Sequence, residues 1–320
     1  MSKRTTAARW IGAAAAAGAA VGAYAFLVEP LWLQVTRTRI HVRGLHPDLE
    51  GFRIALLTDL HAGEGTPLWL IRRAARLVMR ERPHLIAVTG DLAADDAPSF
   101  APVLSTLTEL DAPQGVWTVP GNHDYTVGIE RWRAEVARQP NLRDLTNGAE
   151  MRRVGAARLC VAGVDDFSKG NPRLDALPPP EERDFTLLLA HDPDQAEKAR
   201  RAYDAVDLIV SGHTHGGQVR LPFVGALRNP SEFEELYEEG LRRRPWTQVY
   251  TSRGVGTVHI PVRFLCRPEV AVLELTGTPR PARDGGKRVK QMGPPLAQSG
   301  AEIDRDAVRR SDGPAVDRNP

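Results

Sequence analysis

Cysteine is scarce in this chain: two among 320 residues, Cys160 and Cys266. Each sits in an apolar run, so a disulfide framework is excluded. Buried free thiols are the expectation, with one isolated disulfide as the alternative. A surplus of one charge is also missing. Lys and Arg number 42 against 40 Asp and Glu, a formal net charge of +2, and no basic stripe runs through the middle. That removes the electrostatic footprint of a nucleic-acid binder, and no aromatic stacking platform for single strands is evident. No nucleic-acid partner is expected. Apolar residues, at 42%, are ample. They suffice for a substantial core in one large domain or two small ones.

The two ends differ from the middle. "MSKRTTAARW" is basic, and "IGAAAAAGAAVGAYAFLV" follows without a charge. Its length lies at the lower limit for a membrane span. Ala23-Tyr24-Ala25 also has the small-x-small form of a signal cleavage site. "LVEPLWL" continues apolar beyond that point, which favours a retained anchor. A cleaved signal with export is the alternative. Basic residues flank both sides, with Arg37, Arg39 and Arg43 after the run, so orientation stays open. From Gly277 onward Pro, Gly and charge dominate with almost no large apolar residue, which predicts a disordered tail. The chain thus divides into residues 1–38, 39–276 and 277–320.

Between these ends, short apolar runs finish in polar clusters, and helical stretches often follow. "FRIALLTDLH" predicts a strand ending at Asp59 and His61; "HLIAVTGD" one ending at Asp91; "GVWTVPGNHD" one ending at Asn122, His123 and Asp124; "FTLLLAHD" one ending at His191; "DLIVSGHTH" one ending at His213 and His215. "RLCVAGVDD", "QVYTSRGVG" and "EVAVLEL" read as further strands. "PLWLIRRAARLVMRER" is an amphipathic helix with Leu70, Ala74, Leu77 and Val78 on one face. Residues 98–110 and "GIERWRAEVARQ" are also helical in pattern. Alternation in the first half predicts parallel βαβ units, and the strand-rich second half predicts antiparallel completion of the sheets. The fold class is α/β.

Each polar cluster alone has a plain structural explanation. Asp59 or Asp91 can cap a helix, Asn122 can be a turn residue, and His191 can be a satisfied core histidine. Five strands ending in metal-ligand residue types make a different case. In α/β sheets ligands bind outside the carboxyl ends of the strands, where these side chains would converge. Mixed imidazole and oxygen donors suit Mn, Fe, Zn or Ni over Ca or Mg. In "GHTH", His213 and His215 on an extended strand end would project to the same side, and Gly212, Gly216 and Gly217 would clear room for them.

The ordered set D-x-H, G-D, G-N-H-D, H, G-H-x-H resembles the calcineurin-like metallophosphoesterase superfamily. "GNHDY", "AHDPD", "GHTHGGQ", "SRGVG" and "RPE" are similar to its bacterial membrane-associated YkuE-type branch, over about residues 50–276. The resemblance implies a two-sheet βαβαβ sandwich flanked by helices. It implies two divalent transition-metal ions, one held by Asp59, His61 and His215 and the other by Asn122, His191 and His213, with Asp91 bridging. His123 matches a catalytic histidine that faces the substrate and serves the leaving oxygen without binding metal. Where some relatives support that histidine with an aspartate three residues past the bridge, this chain has Ala94, and Asp95 or Asp96 are the substitutes at hand.

The implied reaction is hydrolysis of a phosphate ester by a metal-bridging hydroxide. Two-metal sites set their ions roughly 3.5–4 Å apart and clamp attacking and leaving oxygens, and the bound water is acidified without a side-chain base. The candidate substrates are a phosphodiester or a pyrophosphate, a lipid-linked one among them, with the protein held at the bacterial inner or plasma membrane by its N-terminal helix. A nuclease of the same superfamily and a non-catalytic interaction module are the competing readings. "NPSEFEELYEEGLRRRPW", residues 229–246, has helical spacing and a basic end, and reads as a solvated surface helix or as a lid that meets lipid headgroups or an anionic substrate.

Overall fold

The computed structural model describes residues 3–63, 65–94, 99–198, 206–233 and 236–279. Most of the expected tail lies outside them. The chain opens with helix α1 (Lys3–Ala23), which runs into a wider turn over Tyr24–Val28 and a tight one over Glu29–Leu31. The stretch Trp10–Leu31 is long and apolar enough to cross a membrane.

Two six-stranded sheets follow. The first comprises β1 (Gln34–Leu45), β2 (Arg53–Leu57), β3 (Leu85–Val88), β4 (Val116–Thr118), β5 (Leu142–Asp144) and β14 (Glu269–Pro279), in the order β1-β14-β2-β3-β4-β5. The second comprises β6 (Gly148–Val154), β7 (Ala157–Gly163), β8 (Phe185–Leu189), β9 (Leu208–Ser211), β12 (Gly240–Arg243) and β13 (Gln248–Thr251), in the order β12-β13-β9-β8-β7-β6. A two-stranded hairpin, β10 (Arg220–Leu221) and β11 (Gly225–Ala226), stands apart. Helices α2 (Leu68–Arg80), α3 (Phe100–Leu107) and α4 (Asn122–Ala137) connect the first-half strands, and α5 (Gln195–Lys198) follows β8.

Alternation of side chains along the strands builds the layers. Ile54, Leu56, Leu85, Ala87 and Trp117 of the first sheet meet Leu159, Leu187, Leu208, Val210 and Tyr250 of the second in one inner core. The opposite face of the first sheet, with Ala55, Leu57, Ile86 and Val88, is covered by Leu70, Ile71, Ala74 and Val78 of α2, by α3, and by Trp132 and Val136 of α4. The outer face of the second sheet, with Ala162, Leu188, Ile209 and Val249, carries Ala196, Val206 and Tyr237. Strands buried on both faces explain the near-continuous apolar runs such as "LIAV" and "TLLL".

The structure departs from the sequence reading in four places. The second half is less antiparallel than expected: β7, β8, β9 and β13 pair in parallel, while β6, β12 and β14 make the antiparallel pairings that complete the two sheets. Parallel strands buried on both faces and strands of a covered antiparallel sheet carry the same apolar signature, so periodicity could not separate them. β1 begins at Gln34 and pairs in parallel with β14 as far as Pro279, so the first sheet reaches past both ends of residues 39–276. Residues 277–279 belong to a strand. Among the described residues of 229–246, Gly240–Arg243 is a sheet strand where the spacing predicted a surface helix, and Tyr237 is fully buried with its hydroxyl donating to Glu197. Tertiary packing of Tyr237 overrides the helical spacing there. Helix α4 starts at Asn122, not at Gly128, because the Asp124 carboxylate in its first turn accepts the Gly121 N–H; Gly128 instead breaks the helix with φ at 122°.

Cys160 and Cys266 are both free and buried. Burial pushes the Cys160 thiol up to about 11 and raises that of Cys266. Since the thiolate is the reactive form, a thiol reagent is expected to label neither cysteine in the native chain and both after denaturation. Rapid labelling of either in the native state would contradict this packing.

Candidate metal centre

The five predicted polar clusters follow the carboxyl ends of β2, β3, β4, β8 and β9 and lie together. Asp91 is at the centre. Its Oδ2 lies 3.4 Å from His61 Nε2 and 3.2 Å from His191 Nε2. On one side, His61 Nε2 and His215 Nε2 are 3.1 Å apart, and His215 Nε2 is 3.4 Å from Asp59 Oδ1. On the other, Asn122 Oδ1 lies 3.0 Å from both His191 Nε2 and His213 Nδ1, which are 3.3 Å from each other. The ring of His123 stands edge-on to His61 at 4.7 Å. All eight predicted residues are thus brought to one place.

This donor set fits cations. Two imidazole nitrogens 3 Å apart share at most one proton, and here two such pairs face each other around a carboxylate. Oxygen and nitrogen lone pairs converge in groups: Asp59, His61 and His215; Asp59, Asp91 and His191; and His61, Asp91 and His123. The last group brings His123 within reach as well, although the resemblance gives it no ligand role. Burial, with the charges of neighbouring His191, holds His213 down at about 3; burial, His61 and the Arg263 guanidinium hold His215 well below the usual histidine range. Both rings are therefore neutral at neutral pH, the form that ligates metal. Burial raises Asp59 to about 6, helped by Asp91. Burial also opposes ionisation of Asp91, but His191 and His61 outweigh it and hold that carboxyl well below its ordinary value.

The backbone that delivers these groups is unusual. Asp59, His61, Asp91, His213 and His215 all have positive φ, between 42° and 72°. Non-glycine residues seldom adopt this region, and runs of them at one place mark a functional site held by its surroundings. It also corrects the expectation of an extended "HTH": β9 ends at Ser211, and His215–Gly217 forms a tight helical turn. The two histidines reach different partners because the chain coils there. His191 is oriented by Nδ1, 2.8 Å from the Thr89 carbonyl, which leaves Nε2 for the centre.

Two glycines make room. A Cβ at Gly212 would sit 2.1 Å from Asp59 Oδ2 and 2.2 Å from Thr58 Oγ1; at Gly121 it would sit 2.2 Å from Asp91 Oδ1. The sequence reading missed three residues. Asp124, fully buried, accepts from the N–H groups of Asp91, Leu92 and Gly121 and fixes the loop after β3 to the start of α4. Arg263, also fully buried, donates to the carbonyls of Gly256, Arg253 and Cys266 behind His215. His259 is exposed, with its ring 6.3 Å from that of His123. Asp124 was visible in "GNHD"; Arg263 and His259 lie in a loop with no ligand spacing to mark them. Ala94 donates its N–H to Ala62, and Asp95 and Asp96 lie outside the described residues.

The comparisons with known proteins agree with this geometry. The family model for calcineurin-like phosphoesterase matches residues 52–217. The chain is 30% identical over 285 residues to an uncharacterized metallophosphoesterase, YkuE, of Bacillus subtilis (strain 168), covering 87% of this chain and 99% of that one. It is 35% identical over 259 residues to the phosphodiesterase YaeI of Escherichia coli (strain K12), covering 79% and 92%. A Bos taurus transmembrane protein with metallophosphoesterase domain is 31% identical over 261 residues, covering 77% of this chain and 57% of that protein. The chain belongs to the calcineurin-like phosphoesterase family and is a metal-dependent phosphoester hydrolase.

Because Asp59 is wedged between Gly212 and Gly254, where a Cβ would meet it at 2.6 Å, Gly212→Ala is expected to displace its carboxylate. Metal content after dialysis, read by elemental analysis, should fall sharply. Full metal content in that variant would show that Asp59 does not depend on this clearance.

Proposed function

We propose that the chain hydrolyses a phosphodiester or pyrophosphate with two divalent transition-metal ions, one at Asp59, His61 and His215, the other at Asn122, His191 and His213, with Asp91 shared between them. The observation that carries this reading is the position of Asp91 Oδ2, within 3.4 Å of a histidine from each group. A carboxylate with two oxygens and opposing neighbours is suited to bridging. When bound, two such ions polarise the phosphoryl group and lower the pKa of a water, supplying Lewis-acid chemistry that no side chain here replaces. Mixed nitrogen and oxygen donors favour Mn, Fe, Zn or Ni.

The protein's own groups do the rest. Neutral His213 and His215 present lone pairs without first losing a proton. Asp91 is fixed by the His123 N–H, which donates to Oδ1 at 2.9 Å from the first turn of α4, where the helix dipole favours an anion. The same contact fixes the backbone of His123. Its half-buried ring lies beside His61 and near His259, which supports its role as the group that would give a proton to the leaving oxygen. The apolar stretch Trp10–Leu31 anchors the protein in a membrane, a reading supported by the transmembrane relative. Lipid-linked phosphoesters then come within reach of the site.

The test uses full-length protein stripped with chelator and reloaded with Mn, Zn, Fe(II), Ni or Mg, assayed on bis-p-nitrophenyl phosphate beside p-nitrophenyl phosphate. Asp91→Asn is expected to lose both metal and turnover. His123→Ala is expected to keep its metal while kcat drops by about 10²- to 10⁴-fold, the usual worth of a general acid. Full activity in either variant overturns the assigned role.

A further inference from the structure

A cavity of about 330 Å³ adjoins the metal centre, bounded by His213 and His215 on one side. Its apolar walls are Val219, Leu227, Pro230, Val258, Ile260 and Val262, with Gln218, Arg228 and His259 among its polar ones. A phosphate needs no such surface. The volume lies at the low end for small-molecule sites, enough for one chain or ring. The walls come from the base of the β10–β11 hairpin and from the strap of residues 258–266.

That hairpin exposes apolar side chains far from any core. Phe223 and Val224 at its tip are 107% and 65% exposed, and Leu227 at its base 58%. Ile260 and Leu265 on the strap are 55% and 52% exposed. Grouped apolar exposure of this kind marks a surface that meets another apolar phase. What that phase is follows from the strap's other contacts. Phe264 bridges to Val219, and its carbonyl accepts from Arg220, tying the strap to the hairpin. One residue earlier, Arg263 N–H donates to the Ala25 carbonyl at 3.0 Å, and the Phe264 ring meets Tyr24 edge-on at 6.5 Å. Cys266 N–H donates to the buried Glu29 carboxylate. The strap therefore links the base of the hairpin to the end of the apolar segment Trp10–Leu31. Arg267 over the face of Trp32, 3.6 Å from its centroid, lies just past that segment, where Trp and Arg favour the membrane interface.

We propose that the hairpin of residues 219–227 seats its tip in the headgroup–acyl boundary of the bilayer that holds the N-terminal helix, so that the cavity opens onto lipid and takes the hydrocarbon part of the phosphoester. This rests on the reading of Trp10–Leu31 as a membrane anchor. The exposed Arg228, which lines the cavity beside Leu227, is positioned for an anionic headgroup at the mouth. The ligand class is a phosphoester bearing one apolar chain, drawn laterally from the membrane.

Because Cys160 and Cys266 are buried, single introduced cysteines can be labelled selectively in the full chain. Phe223→Cys and Val21→Cys, each carrying an environment-sensitive fluorophore, would be reconstituted into phosphatidylcholine–phosphatidylglycerol vesicles containing nitroxide lipids. Both labels are expected to be blue-shifted and quenched, Val21 by deep nitroxides and Phe223 by shallow ones. A lipid-embedded Val21 with a water-exposed Phe223 overturns the docking and leaves the anchor intact; a water-exposed Val21 overturns the anchor itself. A hairpin label shielded from water but not quenched by lipid would mean a protein covers the tip, and also overturns the proposal. The second arm measures kcat/KM for p-nitrophenyl n-alkyl phosphodiesters from methyl upward. Each added methylene that enters the cavity should raise it about fourfold, and Leu227→Trp should flatten the series. Turnover of the methyl ester without any rise along the series removes the cavity's role while the phosphoesterase reading stands. No turnover of any ester in the metal-loaded enzyme overturns that reading.

Discussion

The structure around the catalytic end depends on one buried anion. Asp91 is all but inaccessible, and an isolated carboxylate is among the costliest groups to bury. Every neighbour answers that cost. The His123 N–H at the start of α4 donates to one oxygen, while His61 and His191 face the other. The Asp91 N–H is itself held by Asp124, whose second oxygen takes the Leu92 N–H and so sets the loop after β3. Because Asp124 also caps α4 through Gly121, the carboxylate, the helix that stabilises it and the strand that carries it are fixed as one unit.

Around that anion the backbone is coiled against its preference. Positive φ at Asp59, His61, Asp91, His213 and His215 aims five donors inward from three strand ends. Such a geometry persists only where surrounding structure over-determines it. Two parallel sheet cores with an interior of Leu, Ile, Val and Trp117 provide that rigidity, and Arg263, bonded to the Gly256, Cys266 and Arg253 carbonyl oxygens behind His215, braces the loop that closes the site. Donors that face each other without protons enough to satisfy them are tolerable in a rigid frame if cations complete the set.

Much of this was legible in the sequence, for identifiable reasons. Apolar runs such as "LIAV" and "TLLL" name their strands, and each ends in a residue able to hold metal, so the convergence followed from topology alone. The helix α2 face at Leu70, Ala74 and Val78 followed from periodicity. Strand direction in the second sheet did not, since β7, β8, β9 and β13 show no feature that separates parallel from antiparallel burial. The fate of residues 229–246 was hidden because Tyr237 is drawn into the core of the second sheet, a tertiary contact that local spacing does not encode. Left-handed backbone at the histidines was equally hidden. Arg263 and His259 were invisible because a bracing arginine and a lone loop histidine have no characteristic spacing. The hairpin tip at Phe223 carries no periodic signal in so short an element.

The proposed pair of metals sharing Asp91 can be tested directly. The most direct measurement is anomalous diffraction from crystals of the full chain loaded with Mn, collected at the metal edge. Two peaks flanking Asp91, one among Asp59, His61 and His215 and the other among Asn122, His191 and His213, are the predicted result. A single peak, or peaks away from Asp91, would contradict it.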